Sequence, residues 1–272
     1  MTSPVLLTGG TGTLGRRVAP RLREAGRPVR VLSRRTRPAE DGLEFVTGDL
    51  ATGDGIDAAL AGVEIVVHCA GDAKNNERTT RALVEAAVRA GVRHLVFISV
   101  VGTDRVRVVS AVDRAIFGYY ADKRAAEQVV SGSGLPWTTL RASQFYDLVL
   151  TVVGQMARLP LIPVPAGLRL QPVDTGEVAD RLVELALGEP AGLVPDFAGP
   201  RVYGLGELLR GYLRASGRRR PLVPVRLGGA AYRSVRDGAL LARDGARDGQ
   251  TGHRTWEDFL AERVAADGRA AR

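Results

Sequence analysis

Short apolar runs alternate with amphipathic stretches through the first half of this 272-residue chain. Several of the runs are almost wholly apolar, as in Val29–Leu32, Ile65–Val67 and Leu95–Ile98. The pattern predicts six strands, at 4–8, 29–32, 43–46, 65–67, 95–98 and 137–140, with helices at 14–25, 55–61, 79–90 and 119–131. Apolar strands that alternate with helices are typical of a parallel sheet covered on both faces. We therefore predict an α/β fold with a doubly wound parallel sheet.

The second half of the chain loses this regularity. Prolines at 160, 163, 165 and 172 interrupt short apolar pieces, and helical spacing returns at 175–187, 205–215 and 255–265. We predict a core built on the parallel sheet over residues 1–150. Residues 151–272 are expected to form a small C-terminal α/β substrate lobe that is built on the core and is not an independent domain.

A glycine-rich turn follows the first predicted strand and leads into the first helix. Gly9, Gly12 and Gly15 stand three residues apart, with Thr11, Thr13 and Leu14 between them. Glycines let the backbone turn tightly and let a ligand approach, and the first N–H groups of a helix attract an anion. The turn therefore predicts a site for the phosphates of a dinucleotide. A strand-to-helix turn that uses glycine for conformation alone is the alternative.

Composition changes this picture in only a few respects. The net charge of +8 comes mainly from arginine, since Lys74 and Lys123 are the only lysines among 38 basic residues. The arginines are spread along the chain among acids and lack interleaved aromatics, which argues against a nucleic-acid surface. The single cysteine excludes a cysteine-rich metal site. The three histidines are not spaced like metal ligands, so we predict no metal site. Without a long apolar run or a signal-like N-terminus, we expect a cytoplasmic protein with no membrane segment.

The residues after the early strands predict which cofactor binds. Ser33 and Arg34 follow the second strand, where an NAD site usually has an acid, and Arg34 can hold a 2′-phosphate as a fork. The sequence therefore favours NADPH (NADP+), with solvated loop arginines as the alternative. Asp49, followed by Leu50, can accept a hydrogen bond from adenine or serve as a turn residue. The small Ala70 and Gly71 after the fourth strand allow close approach to the cofactor.

A second set of residues predicts chemistry at the other end of the cofactor. Tyr119 and Lys123 stand four apart, so that they share one face of a helix, and Ser99 ends the fifth strand. A lysine ammonium favours the phenolate of a nearby tyrosine and brings proton transfer closer to neutral pH. The same lysine can hold the nicotinamide ribose, and Ser99 can orient a substrate carbonyl. In the alternative, Tyr119 packs at a helix start and Lys123 is a solvated charge.

The stretch after the sixth predicted strand is expected to pass the nicotinamide end of the cofactor. Gln144, Phe145 and Tyr146 are therefore candidates for the substrate pocket. Tyr146 is also a rival proton donor if Tyr119 points away.

With these residues in view, the chain resembles an atypical short-chain dehydrogenase/reductase of the NmrA-like, NAD(P)H-binding group. The resemblance covers roughly residues 4–200. It rests on the glycine turn and on five further stretches, Val31–Arg34, Gly48–Leu50, Tyr119–Glu127, Ser133–Arg141 and Gln171–Ala179.

The resemblance implies a Rossmann core with NADP(H) on the glycine turn. The serine, tyrosine and lysine with which the superfamily reduces carbonyls map onto Ser99, Tyr119 and Lys123. The gap between Ser99 and Tyr119 is longer than in the compact members and shorter than in many sugar-nucleotide members. Atypical members often lose one or more of the three residues.

These observations lead to three functional hypotheses. The first is an NADPH-dependent oxidoreductase that transfers a hydride to a ketone, a quinone or a similar hydrophobic carbonyl compound. The second is a catalytically silent NADP(H)-binding redox sensor, and the third is an NAD-retaining sugar-nucleotide epimerase, against which Arg34 argues. The sequence leaves the oligomeric state open, with a homodimer among the assemblies it allows.

Overall fold

The computed structural model describes residues 2–40, 42–71, 74–243 and 251–270. The chain begins with β1 (Val5–Thr8), α1 (Gly15–Glu24), β2 (Val29–Ser33), β3 (Leu43–Thr47), α2 (Ile56–Leu60), β4 (Ile65–His68), α3 (Asn76–Arg89), β5 (His94–Val100), α4 (Ala111–Ser131) and β6 (Trp137–Ala142). It continues with α5 (Tyr146–Met156), β7 (Ile162–Pro165), β8 (Arg169–Leu170), α6 (Thr175–Leu187), β9 (Gly192–Leu193), β10 (Tyr203–Gly204), α7 (Leu205–Ala215), β11 (Leu222–Val225), α8 (Ala230–Arg236) and α9 (Trp256–Ala270).

Seven of these strands form one parallel sheet in the order β3-β2-β1-β4-β5-β6-β9. The order reverses beside β1, and this is the crevice in which doubly wound sheets bind ligands. The predicted α/β fold with a Rossmann-type sheet is therefore confirmed, and each of the six predicted strands is present.

The strands are apolar on both faces because each face is covered. Leu6 and Val66 belong to the core beneath α2, α3 and α4, whereas their neighbours Leu7 and Val67 belong to the core beneath α1 and α6. Successive residues of a strand point to opposite faces, so one short apolar run supplies both cores. Each fully buried leucine contributes about 1.5–3 kcal/mol relative to an exposed one.

The C-terminal half is divided between this core and a smaller lobe. β9 pairs with β6 at one edge of the sheet, and α6 packs on α1. The lobe has its own core, in which α5, α7 and α9 meet around Tyr146, Trp256 and Phe259. Apolar residues of the segment from Val173 to Phe197 lie in the core of the main sheet, so part of the predicted lobe packs directly on the core.

Helix α4 is longer than the predicted helix at 119–131. It begins at Ala111, where Ser110 and Asp113 form a capping box: the Ser110 hydroxyl accepts from Asp113 N and the Asp113 carboxylate accepts from Ser110 N. Such a cap satisfies two backbone donors of the first turn. Val109 and Val112 are apolar but exposed. The sequence before Tyr119 therefore lacks the regular apolar spacing of a buried helix face, and the predicted helix began too late. Within the described part of the chain, no helix is long and apolar enough to cross a membrane.

Candidate cofactor and active site

The glycine turn at the end of β1 is built for close backbone contact. Gly9 has φ of +69°, and a Cβ atom there would lie 2.6 Å from Ala70 N, at the end of β4. A Cβ atom at Gly15, the first residue of α1, would collide with Gly9 O. The turn therefore packs backbone on backbone and leads into the N-terminus of α1, where unpaired N–H groups favour an anion.

A cleft of about 440 Å³ opens above this turn. It runs from the end of β2, past the turn, to the end of β4. Of the residues predicted to bind the cofactor, those that line it are Gly9, Thr11, Gly12, Ser33, Arg34, Asp49, Leu50, Ala70 and Gly71. The structure thus brings residues from four separate strand ends to one cleft.

The remaining predicted cofactor residues of the turn do not line the cleft. Thr13 is exposed, Leu14 is buried in the core beneath α1, and Gly15 packs on Gly9. The cleft also has lining residues that were not predicted to bind the cofactor, Thr8, Leu32, Gly48, Ala51, Cys69 and Thr79. Most of these adjoin residues that were named. Thr79 lies on α3. Which side of α3 faces the cleft depends on how the helix packs, and the local sequence pattern does not show it.

The residues at the adenosine end have simple surroundings. Asp49 accepts a hydrogen bond from Ala51 N at 2.9 Å, which is the turn role left open as an alternative. Ser33 Oγ accepts from Arg35 N and donates to Arg35 O, so that it fixes the loop after β2. Arg34 is exposed beside the cleft, and its guanidinium has no partner among the described residues. Arg34 is therefore available to an anionic ligand.

Lys123 is buried at the opposite end of the cleft, with an exposed fraction of only 3%. Its Nζ donates to Ile98 O at 3.1 Å and lies 4.7 Å from the ring centre of Phe97. A Cβ atom at Gly71, which lines the cleft, would be 3.8 Å from this Nζ. Burial lowers the pKa of Lys123 to about 8, although Cys69 and nearby acids oppose the shift. The alternative prediction, that Lys123 is an exposed and solvated charge, is therefore wrong.

Asp122, next to Lys123 on α4, fixes the position of that helix. Its carboxylate accepts from the backbone N of Asn76 at 2.7 Å and of Glu77 at 3.1 Å, at the N-terminus of α3. A carboxylate at this position is stabilised by the helix dipole as well as by the hydrogen bonds. The contact ties α4 to α3, and sequence reasoning missed it because the two residues are 45 positions apart.

Ser99 does not have the surroundings expected of a catalytic serine. Its Oγ donates to Glu127 Oε1 at 2.6 Å, and Thr103 donates to the same oxygen at 3.0 Å. Arg141 holds this carboxylate through Nε at 2.8 Å and Nη2 at 2.7 Å. Although burial raises the pKa of Glu127, these hydrogen bonds bring it below its ordinary value. The prediction that Ser99 orients a substrate carbonyl is thus corrected, because its proton is committed to a buried carboxylate.

Tyr119 lies one helical turn before Lys123 and is 37% exposed. Its ring meets that of Tyr120 edge-on, with centroids 5.8 Å apart. Within the described residues, no hydrogen bond joins Tyr119 to Lys123. Desolvation and the Asp122 carboxylate raise the pKa of Tyr119 to about 12, so that the expected lowering by Lys123 is not found.

The three predicted pocket residues have different environments. Tyr146 is fully buried against Trp256 and Phe259, and its hydroxyl donates to Arg254 O at 2.8 Å. It belongs to the core of the lobe, so its predicted roles as pocket residue and rival proton donor are corrected. Phe145 packs on the core of the main sheet. The side-chain amide of Gln144 lies beside the Tyr120 hydroxyl.

His68 and Cys69, at the end of β4, are not suited to proton transfer. His68 Nδ1 lies 2.6 Å from Thr8 Oγ1, and Nε2 lies 3.1 Å from Thr80 Oγ1. Burial and the nearby Lys123 lower the pKa of His68 to about 3. Burial raises the pKa of Cys69 to about 12. Both groups are therefore neutral at physiological pH and serve to pack and bridge the strand ends.

A family model described as NAD(P)H-binding matches residues 9–156, just over half of the chain. The chain belongs to this family. The match begins at Gly9 in the glycine turn and includes the ends of β2, β3 and β4 that line the cleft. The resemblance to the atypical short-chain dehydrogenase/reductases is thereby confirmed.

Two relatives of this NAD(P)H-binding protein are named as reductases. A (4-alkanoyl-5-oxo-2,5-dihydrofuran-3-yl)methyl phosphate reductase of Streptomyces griseus is 36% identical over 150 residues, which cover 54% of this chain and 50% of the relative. A ceramide reductase of Caulobacter vibrioides is 30% identical over 210 residues, covering 70% of this chain and 63% of the relative. The chain thus spans only about half to just under two thirds of the length of these relatives.

A solved structure with the same fold is an NADPH-dependent quinone oxidoreductase from Escherichia coli. It superimposes with a TM-score of 0.73 at 18% sequence identity, covering 95% of this chain and 98% of the other. A likeness at this level of identity shows the fold.

The cleft of this NAD(P)H-binding protein fits a nicotinamide dinucleotide in two respects. Gly9 and Gly12 line the cleft, and the close packing of Gly15 on Gly9 brings the N-terminus of α1 to it, as a pyrophosphate site requires. Arg34, at the adenosine end, and Lys123, at the other end, are positive groups for the phosphate and for the ribose hydroxyls. Membership of the family therefore implies a nicotinamide cofactor, and the residues that line the cleft can hold one.

Proposed function

We propose that this protein is an NADPH-dependent reductase of a ketone, a quinone or a similar hydrophobic carbonyl compound. The observation that carries the proposal is the position of Lys123. This ammonium group is buried, is held by Ile98 O, and lies within reach of Gly71 in the cleft that begins at the glycine turn. A buried lysine at the edge of a dinucleotide cleft is costly to keep unless its charge is used.

Lys123 and Tyr119 have complementary roles in this proposal. A bound NADPH supplies the hydride for the carbonyl carbon. Lys123 binds the ribose hydroxyls near the nicotinamide, since its ammonium has donors left after the bond to Ile98 O. Tyr119 donates the proton to the carbonyl oxygen, and its pKa of about 12 keeps the hydroxyl protonated at neutral pH. Ser99 has no part in the reaction, because its hydroxyl serves Glu127.

The proposed preference for NADPH depends on the end of β2. β2 is followed by Arg34 and not by an acidic residue. An acidic residue at this position would bind the adenosine ribose of NAD and repel a 2′-phosphate. Arg34 lines the cleft without an ion-pair partner in the described part of the chain. A guanidinium in that position can bind a phosphate through two parallel hydrogen bonds.

The proposed low polarity of the substrate depends on the outer face of α4. Val112 and Ile116 are 66% and 64% exposed, and they precede Tyr119 at helical spacing. They form one apolar stripe that leads to the tyrosine. A hydrophobic compound that approaches Tyr119 along this stripe removes its apolar surface from water.

The proposal is tested by NADPH oxidation against a panel of ketones and quinones, with NADH beside it. We expect turnover with NADPH, and a Tyr119→Phe variant should lose about 10²-fold or more in kcat while NADP+ affinity is unchanged. Tyr212→Phe, in the lobe, is the matched control and should keep full activity. Full activity in Tyr119→Phe would contradict the role of this tyrosine. Tight NADPH binding without turnover would favour the silent sensor, and tightly retained NAD without net consumption would favour the epimerase.

A further inference from the structure

Gln144 has a buried side-chain amide that makes no well-formed hydrogen bond within the protein. Both Nε2 and Oε1 are buried, and neither atom makes a hydrogen bond of good geometry among the described residues, although the amide lies beside the Tyr120 hydroxyl. The backbone around the residue is fixed, since Gln144 O accepts from Val173 N at 3.0 Å. Burying an amide without partners costs free energy, so an orphaned pair of this kind points to a group that binds there.

Gln171, in the same region, shows how this fold treats a structural glutamine. Its Nε2 donates to Gly199 O at 2.9 Å, and its Oε1 accepts from Ala242 N at 3.2 Å. Both ends of that amide are used to join segments of the chain. The two glutamines therefore differ in kind, and only Gln171 has the contacts of a structural group.

The orphaned amide lies beside the proposed reaction site. Gln144 follows β6, whose neighbour β5 carries the carbonyl of Ile98 that holds Lys123. The amide is next to the hydroxyl of Tyr120, and this interaction partly opposes the rise in the pKa of Tyr120 that burial causes. Tyr120 precedes Lys123 by three residues, or about 4.5 Å along the helix axis. The ring centroids of Tyr120 and Tyr119 are 5.8 Å apart, so the Gln144–Tyr120 pair adjoins the proposed proton donor.

We propose that Gln144 and Tyr120 bind a second oxygen of the substrate, beside the carbonyl that is reduced. The inference rests on the proposed function and names its substrate class, β-keto esters and 1,3-diketones. The amide N–H and the phenol O–H donate to the second oxygen when it is a carbonyl, and the amide oxygen accepts when it is an enol. The two carbonyl carbons of a 1,3-dicarbonyl compound are only two bonds apart, so its oxygens can meet two neighbouring groups such as Tyr119 and the Gln144–Tyr120 pair.

The first test measures thermal unfolding without any ligand. Gln144→Met replaces the orphaned amide by an apolar chain of similar shape, and we expect its Tm to rise by about 2–4 °C. Gln171→Met is the matched control and should lower the Tm by at least as much, because it breaks two hydrogen bonds. A fall in the Tm of Gln144→Met would overturn the proposal, since it would show that the amide is structural.

The second test measures binding without hydride transfer. The protein saturated with NADP+ is titrated with ethyl acetoacetate and with 2-hexanone, a ketone of similar length that lacks the second oxygen. We expect the wild type to bind the ester about 10-fold more tightly or better, and Gln144→Met to bind both compounds alike. Tyr120→Phe should lose part of the preference. Equal affinities in the wild type would overturn the proposal.

The two proposals can fail separately. A wild type that does not oxidise NADPH with any carbonyl compound contradicts the proposed reductase. The Tm of Gln144→Met and the affinities for the NADP+ complex do not depend on turnover, so they decide the role of Gln144 and Tyr120 on their own.

Discussion

The two ends of the cleft are built in different ways. The phosphate end is a turn of consecutive residues, in which the backbone of Gly9 approaches that of Ala70. The nicotinamide end is assembled from side chains on distant elements, with Lys123 of α4 reaching over β5 to Ile98 O. The first end therefore tolerates no added carbon atom, whereas the second depends on the charge and reach of single side chains.

This difference also determines what fixes each end. Covalent neighbours fix the glycine turn. The position of Lys123 depends on the tie between α4 and α3, which Asp122 makes by accepting the backbone hydrogens of Asn76 and Glu77. A local sequence motif can encode the first arrangement, and only the folded chain produces the second.

The largest effect should come from Gly9→Ala. The variant needs a Cβ 2.6 Å from Ala70 N and a positive φ, so its free energy of unfolding should fall by about 2–5 kcal/mol and NADP+ binding should be lost. Gly26→Ala is the matched control, because Gly26 also has a positive φ, of +74°, but no atom lies near its added Cβ. It should lose about 1–2 kcal/mol and bind NADP+ normally. Equal behaviour of the two variants would refute close approach as the reason for Gly9.

Lys123→Met should lower kcat/KM by about 10²-fold, with little loss of stability, since the charge is buried and its removal ends a desolvation cost. Lys74→Met, which changes an exposed lysine, should leave kcat/KM unchanged. A Lys123→Met enzyme with the activity of the wild type would show that the ammonium is not used.

The pH dependence of stability offers an independent check on Lys123. Burial lowers the pKa of Lys123 to about 8 in the folded protein from its ordinary value of 10.5, so between these limits only the unfolded chain binds the extra proton. The contribution of Lys123 to the free energy of unfolding should therefore rise with pH between about pH 8 and pH 10.5. Urea unfolding at several pH values should show wild type gaining on Lys123→Met between about pH 8 and pH 10. A constant difference between the two proteins would mean that Lys123 titrates normally.

Arg34→Gln should reduce the preference for NADPH over NADH by about 10-fold or more, because one charge-assisted contact to the 2′-phosphate is lost. The neighbouring Arg35, which does not line the cleft, provides the control. Titration of both variants with 2′,5′-ADP and 5′-ADP measures the effect without turnover. If Arg35→Gln loses as much as Arg34→Gln, the effect is one of general charge.

The smallest effect on activity should come from Ser99→Ala. Since Ser99 Oγ donates to the buried Glu127, the variant should lose about 1.5–3 kcal/mol of stability and keep kcat within about twofold of the wild type. Thr103→Val, which removes the other hydroxyl from the same carboxylate oxygen, should behave alike. A large loss of kcat in Ser99→Ala alone would restore the catalytic role that the superfamily pattern implies.

The phosphate end was largely predictable from sequence, because it depends on short-range pattern. Apolar runs predicted the strands, and the glycine spacing between β1 and α1 predicted the turn. Gly15 was expected to contact the cofactor, but it packs on Gly9 and does not line the cleft. The sequence pattern does not distinguish a glycine needed for packing from one that lines a binding site.

The nicotinamide end was harder to predict, because its residues act through long-range contacts. The serine expected to touch the substrate instead meets Glu127, 28 residues away, and Tyr146 meets Arg254 O, 108 residues away. Sequence spacing could not show that Arg141 lies opposite Ser99 on the neighbouring strand, where it draws Glu127 toward the serine. Side-chain partners of this kind follow from sheet register and helix packing.

The most direct test of the account is isotope transfer from NADPH that carries deuterium at both hydrogen positions of nicotinamide C4. The protein is incubated with this cofactor and ethyl acetoacetate, and the product is analysed by mass spectrometry. The account predicts a hydroxy ester with one deuterium on the former carbonyl carbon, formed in equal amount to the NADP+ released. Labelled NADPH that stays intact and bound, with no deuterated product from this ester or from any other carbonyl compound, would contradict it.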